Sequence, residues 1–156
     1  MSNVTSIVIA GLGGQGVLKA SDIVADVAFR AGLDVKKSEI HGMSQRGGSV
    51  SSDVRFGETV WSPMVPEGEA DFLVVLDGEW IDANRSALKP GGRLIEPGAI
   101  DAAKLRNRKS LNVALLGVLS RELGFSEADW TAAILANLPK KLHEANVQAF
   151  ALGRKA

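Results

Sequence analysis

The stretch 4-VTSIVIAGLGGQGVLKASDIVADVAFRAGLDVKKSEI-40 decides the fold. Val4 to Ala10 is a β-branched, apolar run of strand length. It leads into Gly11-Leu12-Gly13-Gly14-Gln15-Gly16, after which Val17, Ala20, Val24, Val27, Ala28 and Ala31 recur at helical spacing. Gly32 closes that helix, and Leu33 to Ile40 reads as a second strand. Strand, glycine loop, helix and strand make a βαβ unit, so the two strands are expected as a parallel pair joined by a right-handed crossover.

Working outward, 40-IHGMSQRGGSV-50 joins this unit to a third strand, in which Val50, Val54 and Phe56 alternate with Ser49, Ser51, Asp53 and Arg55. Gly57-Glu58 is suited to a tight turn into Thr59-Val60-Trp61, which predicts an antiparallel hairpin and hence a mixed sheet. Ala70 to Leu76 is continuously apolar, as in a parallel strand covered on both faces, and a helical segment follows it to about Leu88. Lys89-Pro90-Gly91-Gly92 reads as a turn into a strand from Arg93 to Glu96. Beyond it the chain is helical: Leu111 to Leu123 is apolar nearly all round, Ser126 and Asp129 look like an N-cap and its partner, and Pro139 opens a last helix expected to stop at Gly153. The expected architecture is α/β: a single domain over 1–156, a three-layer α/β/α Rossmann-like fold with a mixed, mainly parallel sheet and a helical C-terminal part.

Composition narrows the function. The chain has 156 residues, 46% of them hydrophobic, with 18 basic and 18 acidic side chains. No basic stripe tracks a phosphate backbone, so nucleic acid is not an expected partner, and the runs Arg106–Lys109 and Lys140–Lys141 read as solvated faces. Met1 to Ala10 lacks the features of a signal peptide, and no stretch reaches about 18 consecutive apolar residues; no membrane association and a cytoplasmic location are expected. There is no cysteine, which excludes disulfides, thiolate nucleophiles and any iron–sulfur cluster held by this chain.

Two segments carry chemistry. In Gly11-x-Gly13-x-x-Gly16, with Gly14 and Gln15 inside it, backbone N–H groups and a helix N-terminus face a common point, an arrangement suited to an anion such as a pyrophosphate. Glu39 lies where the ribose partner of a dinucleotide would sit. The chain then departs from the dinucleotide path, because a glycine-rich turn and an antiparallel strand follow Glu39. The same glycines also serve a tight turn and close helix–strand packing. In the second segment His41, Ser44, Gln45 and Arg46 are presented at the carboxyl end of a strand, where open α/β sheets bind ligands, and Gly47 and Gly48 permit close backbone approach. The plainer reading makes His41 a loop residue, Met43 a core plug and Arg46 a surface ion-pair donor. Asp77 opens onto the same cleft, whereas His143, Trp61, Trp80 and Trp130 read as structural or interfacial.

Together Gly11-Leu12-Gly13-Gly14-Gln15-Gly16-Val17, Glu39-x-His41-Gly42-Met43-Ser44-Gln45-Arg46-Gly47-Gly48-Ser49-Val50, Val54-Arg55-Phe56-Gly57, Ser62-Pro63 and Gly68-x-Ala70-Asp71 resemble the small subunit of 2-oxoacid:ferredoxin oxidoreductases. The likeness is to the indolepyruvate beta subunit and to the gamma domain of the pyruvate and ketoisovalerate enzymes. Asn112, Leu116-Gly117 and Glu144-x-Asn146-x-x-Ala149-Phe150-x-x-Gly153 extend it to the C-terminal part. The resemblance implies oxidative decarboxylation of a 2-oxoacid to an acyl-CoA. Thiamine diphosphate and [4Fe-4S] clusters would be held by a large partner subunit, with ferredoxin as acceptor and coenzyme A as acyl acceptor. This chain would bind none of them alone. Gly11, Gly13, Gly14, Gln15, Gly16, His41, Ser44, Gln45, Arg46 and Gly47 would form a cofactor-binding or active-site wall, with no catalytic residue or metal ligand among them. The family also carries a strand and helix where this chain has only Pro97 to Ser110. Two other classes are open: a self-sufficient Rossmann-like nucleotide-binding oxidoreductase, and a regulatory or scaffold relative. The isolated chain is expected to be inactive and able to form a homodimer through an exposed apolar surface.

Overall fold

A computed structural model describes residues 3–40 and 48–156 and the backbone of His41. Five strands form one sheet: β1 (Thr5–Leu12), β2 (Asp34–His41), β3 (Ser49–Gly57), β4 (Ala70–Val75) and β5 (Leu88–Ile95), in the order β2-β3-β1-β4-β5. The α-helices are α1 (Val17–Arg30), the one-turn α2 (Ile81–Asn84), α3 (Leu111–Ser120), α4 (Glu127–Asn137) and α5 (His143–Lys155). The α/β class and the mixed sheet agree with the sequence. Because β3 is antiparallel to both β1 and β2, and β4 is parallel to both β1 and β5, four strands run one way and β3 alone runs back.

The expected β1–β2 pair is corrected: β3 lies between them, hydrogen-bonded to both. Burial explains the order. β1 presents Ile7, Val8, Ile9 and Ala10 almost wholly buried and needs a neighbour on each side. Lys36, Lys37 and Glu39 put charge on both faces of β2, which fits a sheet edge. β3, with Val54 and Phe56 on one face and the buried Asp53 on the other, fits the interior. The hairpin expected at Gly57-Glu58 is also absent. Residues 58–69 contain no strand; Pro63 and Pro66 lie in this segment, and Val60 N–H donates to Asp34 Oδ2 at 2.8 Å. Lys89-Pro90-Gly91-Gly92 is an irregularity within β5 rather than a turn before it: Ala70 pairs with Leu88, then Phe72 with Arg93.

α1, α3 and α4 cover one face of the sheet. There Ile7, Ile9, Val54, Phe56, Val74 and Ile95 pack against Ile23, Val24, Val27, Leu115, Leu119 and Ile134. Trp130, fully buried, stands between Phe125 and Phe150 at ring separations of 6.3 and 5.4 Å. Ser126 Oγ accepts from Asp129 N–H at 3.1 Å, the N-cap read from the sequence. On the other face Val8, Leu73 and Val75 are covered by Val65, Trp80 and Ile81 from short segments.

α3 is buried from Asn112 to Ser120 because α5 packs along its outer side. The last helix does not stop at Gly153 but runs through it to Lys155. A Cβ at Gly153 would strike the Ala114 carbonyl oxygen, and one at Gly117 would come within 3.0 Å of Gly153 Cα. Gly153 therefore serves helix contact, not helix termination. Gly153→Ala should lower unfolding stability by about 3 kcal/mol, read as a shift in urea midpoint at constant slope.

Burial raises the Asp53 carboxyl above its ordinary value of 3.8, opposed by the Val65 N–H bond and the nearby Arg55 charge. A raised carboxyl favours the folded state only while protonated, so its ionisation costs stability as pH climbs from 3.8 through the folded value. Asp53→Asn keeps an acceptor for Val65 N–H. It should be more stable than the wild type at about pH 7, with the advantage shrinking towards about pH 3.5 in parallel urea titrations.

Candidate functional site

The glycine loop joins the carboxyl end of β1 to α1. Gly14 and Gly16 have φ of +88° and +86°, which an L side chain rarely adopts, so glycine is required at both. Gly16 precedes α1 without a side-chain cap, and the first turn of α1 has no acidic residue. Its N-terminus thus keeps a positive field. Asn112, 96 residues away on α3, donates from Nδ2 to the Gly16 carbonyl at 3.1 Å and would collide with any Cβ at Gly16.

Gln15 ties the loop together. Its Oε1 accepts from Leu12 N–H at 2.7 Å, and its Nε2 donates to Asp77 Oδ2 at 3.1 Å. Asp77 Oδ1 in turn accepts from Glu79 N–H at 3.0 Å, capping the 3₁₀ turn Gly78–Trp80 after β4. Gly11 has no room for a side chain, since a Cβ there would lie 2.8 Å from Gln15 Oε1 and 3.1 Å from Leu76 Cβ. Gly13 N–H donates to Gly48 O at 3.0 Å, joining the loop to the exit of the second motif.

Register aligns the two motifs. His41 is level with Val50, Val50 with Gly11, and Leu76 N–H donates to Ala10 O at 2.8 Å. The end of β2, the start of β3, the glycine loop and Asp77 therefore share the carboxyl edge of β1, β2 and β4. Of the expected wall, Gly11, Gly13, Gly14, Gln15 and Gly16 are brought together there. Ser44, Gln45, Arg46, Gly47 and the His41 side chain lie outside the described residues. Glu39 is separated from β1 by β3, about 10 Å in strand spacings, and sits beside Lys37 at 3.4 Å. That placement removes the ribose partner a dinucleotide site requires.

The site also contains side chains that the sequence reading left out. A cavity of about 430 Å³ runs along Leu12, Gly13, Gly14, Val17, Lys19 and Val50. A second, of about 240 Å³, lies beside it among Gly14, Gln15, Leu76, Arg108, Lys109 and Asn112. Arg108 and Lys109, read as part of a solvated run, thus flank the glycine loop. Neither they nor Lys19 form an ion pair among the described residues. A cue was present in Asn107, whose side chain caps the turn Arg108–Ser110 by accepting from Lys109 N–H at 2.9 Å. Three cations around a helix N-terminus favour an anionic ligand.

This fold and loop arrangement define a mixed-sheet α/β domain whose carboxyl edge carries a glycine loop, a helix N-terminus without a side-chain cap and nearby cationic side chains. The chain belongs to the pyruvate ferredoxin/flavodoxin oxidoreductase family, whose profile matches residues 6–100. It is 38% identical to indolepyruvate oxidoreductase subunit IorB of Thermococcus kodakarensis, across 97% of this chain and 95% of that one. That alignment runs over 193 positions but uses 97% of these 156 residues, roughly 151, so the relative carries roughly forty residues that this chain lacks. Ketoisovalerate oxidoreductase subunit VorA of Methanothermobacter marburgensis is 32% identical over 81% of this chain and 26% of its own. The fold also matches the 2-oxoglutarate:ferredoxin oxidoreductase of Magnetococcus marinus, solved with 2-oxoglutarate, coenzyme A and succinyl-CoA bound. The TM-score is 0.83 at 20% identity, covering 99% of this chain and 31% of that one.

Gln15→Leu removes both ties and leaves Leu12 N–H and Asp77 without their partner. It should cost about 1–3 kcal/mol of unfolding free energy, whereas Asp77→Asn, which keeps one acceptor oxygen for Glu79 N–H and gives up only the bond from Gln15, should cost less; urea denaturation compares the two.

Proposed function

We propose that this chain is the subunit without redox cofactor of a thiamine diphosphate- and iron–sulfur-dependent 2-oxoacid:ferredoxin oxidoreductase. The observation that carries this reading is the likeness to IorB over nearly the whole chain, joined to the complete absence of cysteine. A chain without thiolates is no holder of [4Fe-4S] clusters, so any cluster belongs to a partner, and the family resemblance implies that the same large subunit carries the thiamine site. The reaction is oxidative decarboxylation of a 2-oxoacid of the indolepyruvate, pyruvate or ketoisovalerate kind, yielding an acyl-CoA and reduced ferredoxin.

In this reading the carboxyl edge forms one wall of the shared site. Gly11, Gly13, Gly14, Gln15 and Gly16 hold the backbone open at the N-terminus of α1, and Lys19, Arg108 and Lys109 supply positive charge. Those groups fit a phosphate-bearing ligand, and the phosphates of coenzyme A are of that class. His41, Ser44, Gln45, Arg46 and Gly47 complete the wall from the neighbouring turn. The self-sufficient nucleotide enzyme is less well supported, because β3 separates Glu39 from the glycine loop.

The purified chain should be colourless and inactive with 2-oxoacids. Co-expressed with the large subunit, it should yield a brown complex that reduces ferredoxin in the presence of a 2-oxoacid and coenzyme A. His41→Ala and Arg46→Ala should each lower turnover of that complex at least tenfold, about 1.4 kcal/mol in activation free energy. Unchanged turnover and coenzyme A dependence would take the turn out of the active site, and turnover by the large subunit alone would make this chain a scaffold.

A further inference from the structure

The face of the sheet opposite α1, α3 and α4 carries a strap. Val60 N–H donates to Asp34 Oδ2 at 2.8 Å, Arg55 Nη1 donates to the carbonyls of Ser62 and Met64 at 3.1 and 3.3 Å, and Val65 N–H donates to Asp53 Oδ2 at 2.9 Å. These bonds fasten the backbone across the lower ends of β2 and β3. Between them two large apolar side chains face solvent: Trp61 is 89% exposed and Met64 56%. Ile40, on the same face of β2 by register with Ser51, is 48% exposed. Alongside runs β2, an outer strand of eight residues with no further strand beside it among the described residues.

We infer that this strip, Trp61, Met64 and Ile40 with the outer edge of β2, is the docking surface for the large catalytic subunit. The inference rests on the proposed function and adds to it the face on which the partner sits. Fastening matters because a strap tied at Val60, Ser62, Met64 and Val65 holds Trp61 and Met64 outward in a fixed place. Tryptophan and methionine are enriched at protein interfaces, and a folded monomer gains nothing locally from presenting them to water. The open strand edge selects a polypeptide, since only another backbone completes a row of unpaired N–H and C=O groups. The size of related chains points to the large subunit as the occupant. In the VorA relative and in the Magnetococcus enzyme this fold is a quarter to a third of one longer chain, so further polypeptide of the same enzyme is joined to it there. IorB, whose length this chain covers to 95%, is named a subunit in its own right, so in the proposed assembly that polypeptide is a separate chain.

The test uses co-expressed complex with an affinity tag on the large subunit. Trp61→Asp and Met64→Ser are compared with Phe29→Ser, which alters a 72% exposed side chain on α1, across the sheet from the strip. Circular dichroism confirms that each variant folds. The expected result is at least a tenfold weaker association for Trp61→Asp, a smaller loss for Met64→Ser and wild-type association for Phe29→Ser. Wild-type association of both strap variants overturns the inference while leaving the proposed function intact. A strap variant that changes the size of the isolated chain on gel filtration but not its association with the large subunit also overturns it, in favour of a second copy. Failure of the wild-type chain to associate at all removes the proposed function and this occupant together.

Discussion

β3 lies between β1 and β2, hydrogen-bonded to both, and the layout of the carboxyl edge follows from that pairing. It sets His41, Val50 and Gly11 level across three strands and brings Gly48 O to Gly13 N–H. With β2 beside β1, as in a dinucleotide-binding domain, Glu39 would flank the glycine loop. With β3 inserted, the loop instead faces Gly48 and the start of β3. The inserted strand also pushes β2 to the rim, where its charged side chains find water and its outer edge is open. One pairing choice thus separates this strand order from that of a dinucleotide-binding domain and creates the edge beside the strap.

The glycine loop is held from three directions, each by a different part of the chain. Gln15 anchors it to Asp77 at the end of β4, Asn112 anchors it to α3, and Gly48 anchors it to β3. α3 is itself fixed by the close approach of α5 through Gly117 and Gly153. A chain of contacts therefore runs from the C-terminal helix to the N-terminus of α1. This explains why Asn112, Gly117 and Gly153, far from the loop in sequence, belong to the same pattern as the loop itself.

What was legible in the sequence was local. The apolar run Val4–Ala10, the helical spacing from Val17 and the cap Ser126 with Asp129 each state their structure within a few residues, and each is present. The glycine loop was placed correctly for the same reason. Pairing was not legible, because the alternation in β3 shows that it is a half-buried strand and says nothing about which strands it joins. Gly153 looked like a stop because glycine ends helices more often than it packs them, and only the opposing Ala114 carbonyl distinguishes the two. Arg108 and Lys109 are solvated, as their run indicates, but their nearness to Gly14 and Gln15 was not legible because those residues are more than ninety positions away.

Cofactor chemistry and the folded frame make separate demands on a chain of this family, and the second is the one written in the described residues. Without cysteine this chain offers no thiolate to an iron–sulfur cluster, yet it keeps a glycine-rich loop whose backbone geometry tolerates little substitution: Gly14 and Gly16 at positive φ, and Gly11 against Gln15 and Leu76. Positions of that kind cost stability, since glycine loses more conformational freedom on folding than other residues. A domain used only as a spacer could close the same turn with fewer of them. The roughly forty residues absent relative to IorB point the same way. β4 runs into Asp77, and α3 still supplies Asn112 directly after the short turns from Pro97 to Ser110, so no tie on the glycine loop is missing. The described ties on the glycine loop are thus in place in the shorter chain. That is the pattern expected if the carboxyl edge is the part under constraint.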